Sequence, residues 1–407
     1  MKVQDANKKI LIVTAVFPPE QVTSALLNFD LAHELSKNYK VTVLRPYPTR
    51  PIGMEFKYVG LKDVPFETIL IDSYTHPESK LFGRFRESVD FGKKCAAYIK
   101  KHRKEIDVIY NGPWQLFGVF IVAKVAVKYK IPYIMTVQDI YPESILTGHK
   151  YPPILQWCVK KLFFPMDKFY TQHAVKVRTI SKEMAEYMSR TRHLPLSHYL
   201  VINNWQNEED FDNLPVHENK GTLVFSYVGS INVHSNVELI IRAFHEANVS
   251  NSELRIYGGG NRKQHCMDLV DSLGATNIIF RVVSRDQVPT IQNEADVLVL
   301  ALSKGNGGLC LPSKMISYML SGKPILASID NFSASVRYIH EAQCGITVEP
   351  DSIDALIEGF KQYGQLSLTQ LNRMGYCSRR FAEKNLTRKV TLPKIIDVFN
   401  EVLATKE

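Results

Sequence analysis

The sequence predicts an α/β protein built from two doubly wound, Rossmann-like parallel sheets. Three observations carry that expectation. Short continuous apolar runs alternate with longer segments whose apolar residues recur at helical spacing, the order that parallel sheets require. The alternation stops once, over a polar stretch at 206–221, and then restarts. The chain has 407 residues, about twice what one ordinary domain holds.

Residues 10–16 form the first run, uninterrupted as in a strand buried on both faces. The segment 23–37 follows, with Leu27, Leu31 and Leu35 at helical spacing. A strand is expected at 41–44. Another is expected at 107–110, then a helix over 115–128 and a strand over 133–137 after Pro132. A strand at 176–180 leads into a helix from Ser181, an N-cap residue type. The linker carries Asn207, Glu208, Glu209, Asp210, Asp212, Asn213, Pro215 and Gly221, which is turn and loop chemistry. Beyond it, strands are expected at 223–228, 254–257, 277–280, 296–300 and 324–327, with a helix at 237–247. Connections between parallel strands are right-handed, so each half folds as one open wound sheet. Ligands then bind beyond the carboxyl ends of the strands, and two such ends facing across a cleft make the expected active site. The domains expected are 1–204 and 205–384. A final helix within about 385–407 crosses back to the first domain.

Hydrophobic residues at 45% and charged residues at 22% exclude a disordered, collagenous or coiled-coil chain. Net charge is +9 but uneven. Residues 1–203 hold 30 Lys and Arg against 18 Asp and Glu, and the rest hold 20 against 23, giving +12 and −3. The six cysteines include no C-x-x-C pair, as reduced thiols of a cytoplasmic protein would be. No H-x-x-x-H or H-E-x-x-H pattern appears, so no metal site is expected. Neither a nucleophile elbow nor a P-loop is spelled. The apolar runs are too short to span a bilayer.

The segment 305–326 carries the chemistry. A Gly-rich loop leads to Pro312 and Ser313, then a short helix, then Gly322-Lys323-Pro324. Loop amides, a helix amino terminus and the Lys314 ammonium together form an anion site, most naturally for a diphosphate. The bland alternative is a capped helix with a solvated lysine. Asp139 follows a buried strand, where it positions a substrate hydroxyl or simply starts an Asx-type turn.

The run P-S-K-M-I-S-Y-M-L-S-G-K-P-I-L-A at 312–327 resembles the donor-site helix of retaining glycosyltransferases of family 4, which have the GT-B fold. Five further segments agree in order: I-L-I-V-T-A-V-F-P-P-E (10–20), V-Q-D-I-Y-P-E-S (137–144), V-I-N-N-W (201–205), Y-V-G-S (227–230) and R-I-Y-G-G-G (255–260). The second of these looks like the family's bacterial lipopolysaccharide, capsule and exopolysaccharide branch. The resemblance implies transfer of a sugar from a nucleotide-sugar donor to an acceptor hydroxyl, with retention and without a metal or other cofactor. It implies donor binding by Gly229, Ser230, Gly258, Gly259, Gly307, Gly308, Leu309, Pro312, Ser313, Lys314 and Ser317. Lys314 and Asp139 are the expected catalytic residues, and Glu20, Gln138 and Glu143 the expected acceptor contacts. The chain departs from the family's Glu-x7-Glu pattern, with Leu309 and Ser317 where the two acids would stand. Ser230 replaces the phosphate-binding arginine, and no lysine is evident near Asn236; Arg281 and Arg285 are the candidate substitutes. A non-catalytic GT-B subunit bound to a partner transferase, or a nucleotide-sugar epimerase, is therefore the alternative.

The basic half has its own reading. Residues 80–104 carry nine Lys and Arg against Glu87 and Asp90. Phe82, Phe85, Val89 and Ala96 add an apolar stripe. Lys160 and Lys161 adjoin Phe163 and Phe164 in a second such segment. Anionic lipid attracts each surface cation by about 1 kcal/mol. The expected partners are a nucleotide-sugar donor, a lipid-linked saccharide acceptor and an anionic membrane surface, with no nucleic acid, because no recognition motif accompanies the charge. The expected location is cytoplasmic, peripheral on the inner face of the cytoplasmic membrane.

Overall fold

The computed structural model describes residues 7–20, 22–49, 56, 61, 63–75, 81–112, 116–146, 151–215, 221–305 and 311–405. The chain divides into two compact units. The first is Met1–Ile202 with Leu392–Glu407, and the second is Asn203–Thr391.

The first unit runs β1 (Lys9–Val13), α1 (Thr23–Ser36), β2 (Lys40–Arg45), β3 (Glu67–Leu70), α2 (Leu81–His102), β4 (Val108–Asn111), α3 (Leu116–Lys128) and β5 (Tyr133–Val137). It continues through α4 (Glu143–Leu146), α5 (Pro153–His173), β6 (Lys176–Thr179), α6 (Lys182–Arg192) and β7 (Tyr199–Val201). Its seven strands are parallel, in the order β3-β2-β1-β4-β5-β6-β7. Ile10, Leu11, Ile12 and Val108 are fully buried, as expected of central strands covered by helices on both faces. The first strand stops at Val13, short of the expected end at 16. The Thr14 hydroxyl exchanges hydrogen bonds with Val16, donating to its carbonyl at 2.9 Å, which turns the chain out of the sheet. Ser181 caps α6 as expected, accepting from the Met184 amide at 3.1 Å.

The second unit runs β8 (Leu223–Val228), α7 (Val237–Ala247), β9 (Ser252–Tyr257), α8 (Lys263–Leu273), β10 (Ile278–Arg281), α9 (Val288–Asn293), β11 (Val297–Ala301) and α10 (Ser313–Leu320). It continues through β12 (Ile325–Ser328), α11 (Ala334–Ala342), β13 (Gly345–Val348), α12 (Ile353–Gly364) and α13 (Leu368–Asn385). Six parallel strands lie in the order β10-β9-β8-β11-β12-β13. Phe225, Phe244, Phe360 and Tyr363 pack in a shared core, with Phe225 and Phe360 edge-on at 5.0 Å. In both sheets the strand order reverses beside the first strand, at β1/β4 and β8/β11. Ligand sites of wound sheets lie at such switch points.

The last helix, α14 (Arg388–Ala404), enters the first unit from Leu392 onward. Buried Phe399 lies 5.9 Å from the Tyr110 ring, and Asn400 accepts from the Tyr39 hydroxyl. Among the described residues, no helix is long and apolar enough to cross a membrane.

Candidate functional site

In the second unit the site starts from two strand ends. The chain leaves β8 through Gly229 (φ +151°) and leaves β9 through Gly258 (φ +140°). The two exits stay paired beyond the sheet: the Gly229 amide donates to Tyr257 at 2.8 Å and the Ile231 amide to Gly259 at 2.8 Å. A Cβ on Gly258 would collide with the Gly229 carbonyl. Gly259 is exposed, with open space where a Cβ would stand. Ser230 is exposed too; its carbonyl accepts from the Tyr227 hydroxyl at 2.6 Å.

Helix α10 is fixed to this floor by Tyr318, which is fully buried and accepts from the Val228 amide at 2.8 Å. At its far end the Arg379 guanidinium donates to the Leu320 carbonyl at 2.6 Å and pairs with Asp212 at 2.7 Å. Pro312 precedes its first turn and Ser313 opens it, half-buried. Lys314 then reaches over the carboxyl end of β8. Its ammonium lies 4.3 Å from the Tyr227 ring centroid, donates to the Tyr227 hydroxyl, and rests on Gly229. A Cβ at Gly229 would overlap the Lys314 Cε and stand 2.8 Å from its Nζ. Burial holds the ammonium down, at a pKa of about 8. A group poised this way favours an incoming anion, which restores the charged form.

The approach to α10 is anchored by two carboxylates. Asp330 accepts from the Gly305 amide at 2.9 Å, and Asp351 from the Lys304 amide at 3.0 Å. Asp351 also accepts from Asn236 at 2.7 Å, so Asn236 ties two loops together. Gly307, Gly308 and Leu309 lie outside the described residues.

Ser317 departs from the expected role. Its side chain is buried, donating to the Lys314 carbonyl at 3.0 Å and accepting from Gln292 at 3.1 Å. Gln292 also accepts from Ser321 at 2.7 Å. The hydroxyl therefore ties α10 to α9 and offers no open face to a ribose. Arg281 is exposed at the end of β10, where its carbonyl accepts from the Gly258 amide at 3.2 Å. Burial lowers the Arg285 guanidinium somewhat despite nearby Asp210. The sequence reading missed Arg262, beside the Gly260 turn. It pairs with Glu238 at 2.6 Å, next to a small cavity of about 220 Å³.

The first unit holds a larger cavity, about 730 Å³, at the carboxyl end of β5. Gln138 and Asp139 both line it. Ser24 of α1 donates to the Gln138 side chain at 2.9 Å. Asp139 is open to the cavity yet enclosed by protein, and that enclosure lifts its carboxyl above the ordinary aspartate range. The turn-aspartate reading thus leaves out its exposure to a ligand-sized space.

Glu20 and Glu143 are placed differently from the expectation of acceptor contacts. Glu20 is 4% exposed and accepts from the Phe17 amide at 3.3 Å and the Thr49 amide at 2.9 Å, joining two loops. Glu143 receives both arms of Arg192, at 2.6 and 3.0 Å, and the Tyr187 hydroxyl at 3.1 Å. Burial alone would raise its carboxyl, but Arg192 holds it below the usual glutamate range. Arg192 is fully buried and also pairs with Asp167 at 2.7 Å and the Tyr141 carbonyl at 2.6 Å. Glu143 therefore holds, through Arg192, the loop that brings Tyr141 to the cavity, whereas Glu20 joins the segments of Phe17 and Thr49. Arg192 and Asp167 have no sequence neighbour that would reveal the pairing.

The family "Glycosyltransferase Family 4" matches residues 27–209, and "Glycosyl transferases group 1" matches residues 208–380. The probable glycosyltransferase WbjE of Pseudomonas aeruginosa is 24% identical over 307 residues, covering 71% of this chain and 73% of that protein. The putative colanic acid biosynthesis glycosyl transferase WcaI of Escherichia coli K12 is 25% identical over 187 residues, 45% of this chain and 44% of its own. Among solved structures, Anabaena HepE in complex with UDP-glucose superposes with a TM-score of 0.67 at 12% identity, covering 97% of this chain and 99% of that one.

Proposed function

We propose that this chain, a glycosyltransferase of the GT-B fold, moves a sugar from a nucleotide-sugar donor to a lipid-linked saccharide with retention of configuration. The observation that carries the reading is the Lys314 ammonium laid on Gly229 at the amino end of α10. The bond from the anomeric carbon to the diphosphate breaks while one to the acceptor oxygen forms, and the acceptor's hydroxyl proton passes to the departing diphosphate oxygen. Negative charge then grows on the departing diphosphate. A fixed cation and helix amides beside it lower the barrier because they need no reorganisation. In this reading Lys314 supplies that cation and no metal is required. Gly229, Ser230, Gly258, Gly259, Pro312 and Ser313 let the diphosphate approach backbone. Asp139, with Gln138, orients the acceptor hydroxyl on the first unit.

Support for the donor class comes from HepE, whose complex holds UDP-glucose. Support for a surface polysaccharide pathway comes from WcaI, named for colanic acid biosynthesis. The exposed cations of α2, among them Arg84, Arg86, Lys93, Lys94, Lys100 and Lys101, support peripheral seating on an anionic membrane. Lys80 of the same run lies outside the described residues. The test is product mass spectrometry across a panel of nucleotide sugars and short lipid-linked acceptors, with wild type and Lys314→Ala. Product from wild type, reduced ~10²-fold or more in the variant, is the expected outcome. Activity of Lys314→Ala within a few-fold of wild type would remove Lys314 from the mechanism.

A further inference from the structure

Resting on the first unit as the acceptor side, we propose that its 730 Å³ cavity takes the hydrocarbon of a phosphate-linked lipid carrying the acceptor sugar. The volume lies within the range of small-molecule sites, roughly 300–1,000 Å³. The two sides of the cavity differ in chemistry. Gln138 and Asp139 stand at the end of β5 and offer polar groups that suit a sugar hydroxyl. The opposite wall is aromatic: Phe85 meets Phe117 edge-on at 4.5 Å, and Phe117 meets Phe163 at 5.4 Å. Leu155 and Val159 of α5 complete it.

The close crossing of α2 and α3 builds this wall. Gly92 leaves no room for a Cβ against Gly118, and the Gly118 amide donates to Ser88 at 2.9 Å. Helices that approach so closely project Phe85 and Phe117 together into the cavity. A saccharide would leave its hydroxyls without partners on such a wall, at a cost for each. An aliphatic chain loses nothing there. The same apolar surface continues outward to solvent through Phe82 (87% exposed), Phe85 (45%) and Leu155 (43%), all of which line the cavity. A monomeric soluble surface rarely keeps such residues contiguous without a ligand or membrane.

Charge identifies the headgroup. Arg84 lines the cavity itself, and Arg86 is exposed on the same helix. Cations beside an apolar chain site match a lipid phosphate. Because Asp139 and the aromatic wall share one cavity, only a short saccharide fits between the accepting hydroxyl and the lipid. The chain therefore acts near the start of a saccharide's assembly.

Calorimetric titration of the full chain with farnesyl diphosphate tests this, with inorganic diphosphate and dihexanoyl phosphatidylglycerol as comparison probes. The expected result is binding of farnesyl diphosphate at least tenfold tighter than either comparison. Val159→Trp, which fills the cavity with apolar volume, and Leu155→Asp, at its exposed edge, each weaken that binding tenfold or more while melting like wild type. Equal affinity for inorganic diphosphate would reduce the site to a headgroup contact and overturn the proposal. Tighter binding of the phosphatidylglycerol would assign the cavity to bulk lipid, which also overturns it. So would no binding by wild type, or unchanged binding by two folded variants. A parallel titration with UDP and GDP separates the two readings: nucleotide binding without farnesyl diphosphate binding defeats only the lipid assignment.

Discussion

The side chain of Lys314 lies across the Cα of Gly229, in the space where any other residue would carry its Cβ. The lysine comes from the first turn of α10 and the glycine from the exit of β8, 85 positions apart in the chain. Each residue explains the other. Glycine is needed for a φ of +151° and for clearance. The lysine needs that clearance to reach the switch point of its sheet.

Gly229→Ala is therefore expected to disable the site without touching a charged group. The new methyl displaces the Lys314 Cε and strains the backbone. Turnover should fall ~10²-fold, the scale for losing one fixed charge partner of a transition state. Steady-state kinetics at saturating acceptor reads this, and wild-type turnover would contradict it.

Donor affinity should depend on pH through Lys314. The empty site holds its ammonium at a pKa of about 8 because of burial, against an ordinary 10.5. A bound diphosphate raises that value. Affinity is thus constant below pH 8 and weakens as pH rises above it, by up to about tenfold per unit. Calorimetry in buffers of different ionisation enthalpy should show proton uptake near pH 8. Lys314→Arg, always charged, should lose this dependence.

The same shift has a stability sign. The folded pKa lies below the unfolded one, so between about pH 8 and 10.5 the unfolded chain binds more protons. Stability contributed at this site rises with pH across that window. At neutral pH the buried ammonium opposes folding, and Lys314→Met should stabilise the chain by on the order of 1 kcal/mol. Urea midpoints at pH 7 read the difference; a lower midpoint for the variant would contradict it.

Arg192→Met should destabilise by roughly 3–5 kcal/mol, because Asp167 loses its buried cation and Glu143 both of its arms. Adding Asp167→Asn should recover part of the loss. A double-mutant cycle by denaturant unfolding checks both statements.

Ser317→Glu should not restore a ribose contact. The position faces Gln292 inside the unit, so a carboxylate there is buried beside an amide and a backbone carbonyl. The expected outcome is lower stability, by about 1–3 kcal/mol, with unchanged or weaker donor affinity. Tighter donor binding would mean that the side chain reaches the ligand.

Much of the fold was legible because fully buried parallel strands read as unbroken apolar runs. The strands at 133–137 and 223–228 and the helix at 237–247 begin and end where the pattern places them. β3 and β7 were not legible: each lies at a sheet edge and is short, β7 having only three residues, and β3 also carries the polar Glu67 and Thr68. Gly229, Gly258 and Lys314 stood out in the sequence because each lies in its own short local motif, at 227–230, 255–260 and 312–327; the structure brings Gly229 and Lys314 into contact. Arg192, Asp167 and Glu143 were not, since their meeting is made by three separate elements. Ser317 was misread for a related reason. Sequence spacing fixes which residue occupies a helix position, whereas the buried Gln292 on a neighbouring helix decides which way the hydroxyl is used.

The most direct measurement is calorimetric titration of wild type and Lys314→Ala with UDP and GDP at pH 7. The account predicts saturable binding of one of these to wild type and an affinity loss of about tenfold or more in the variant, the worth of one charge-assisted contact. Equal affinity in both proteins, or no binding of either nucleotide to wild type, would contradict it.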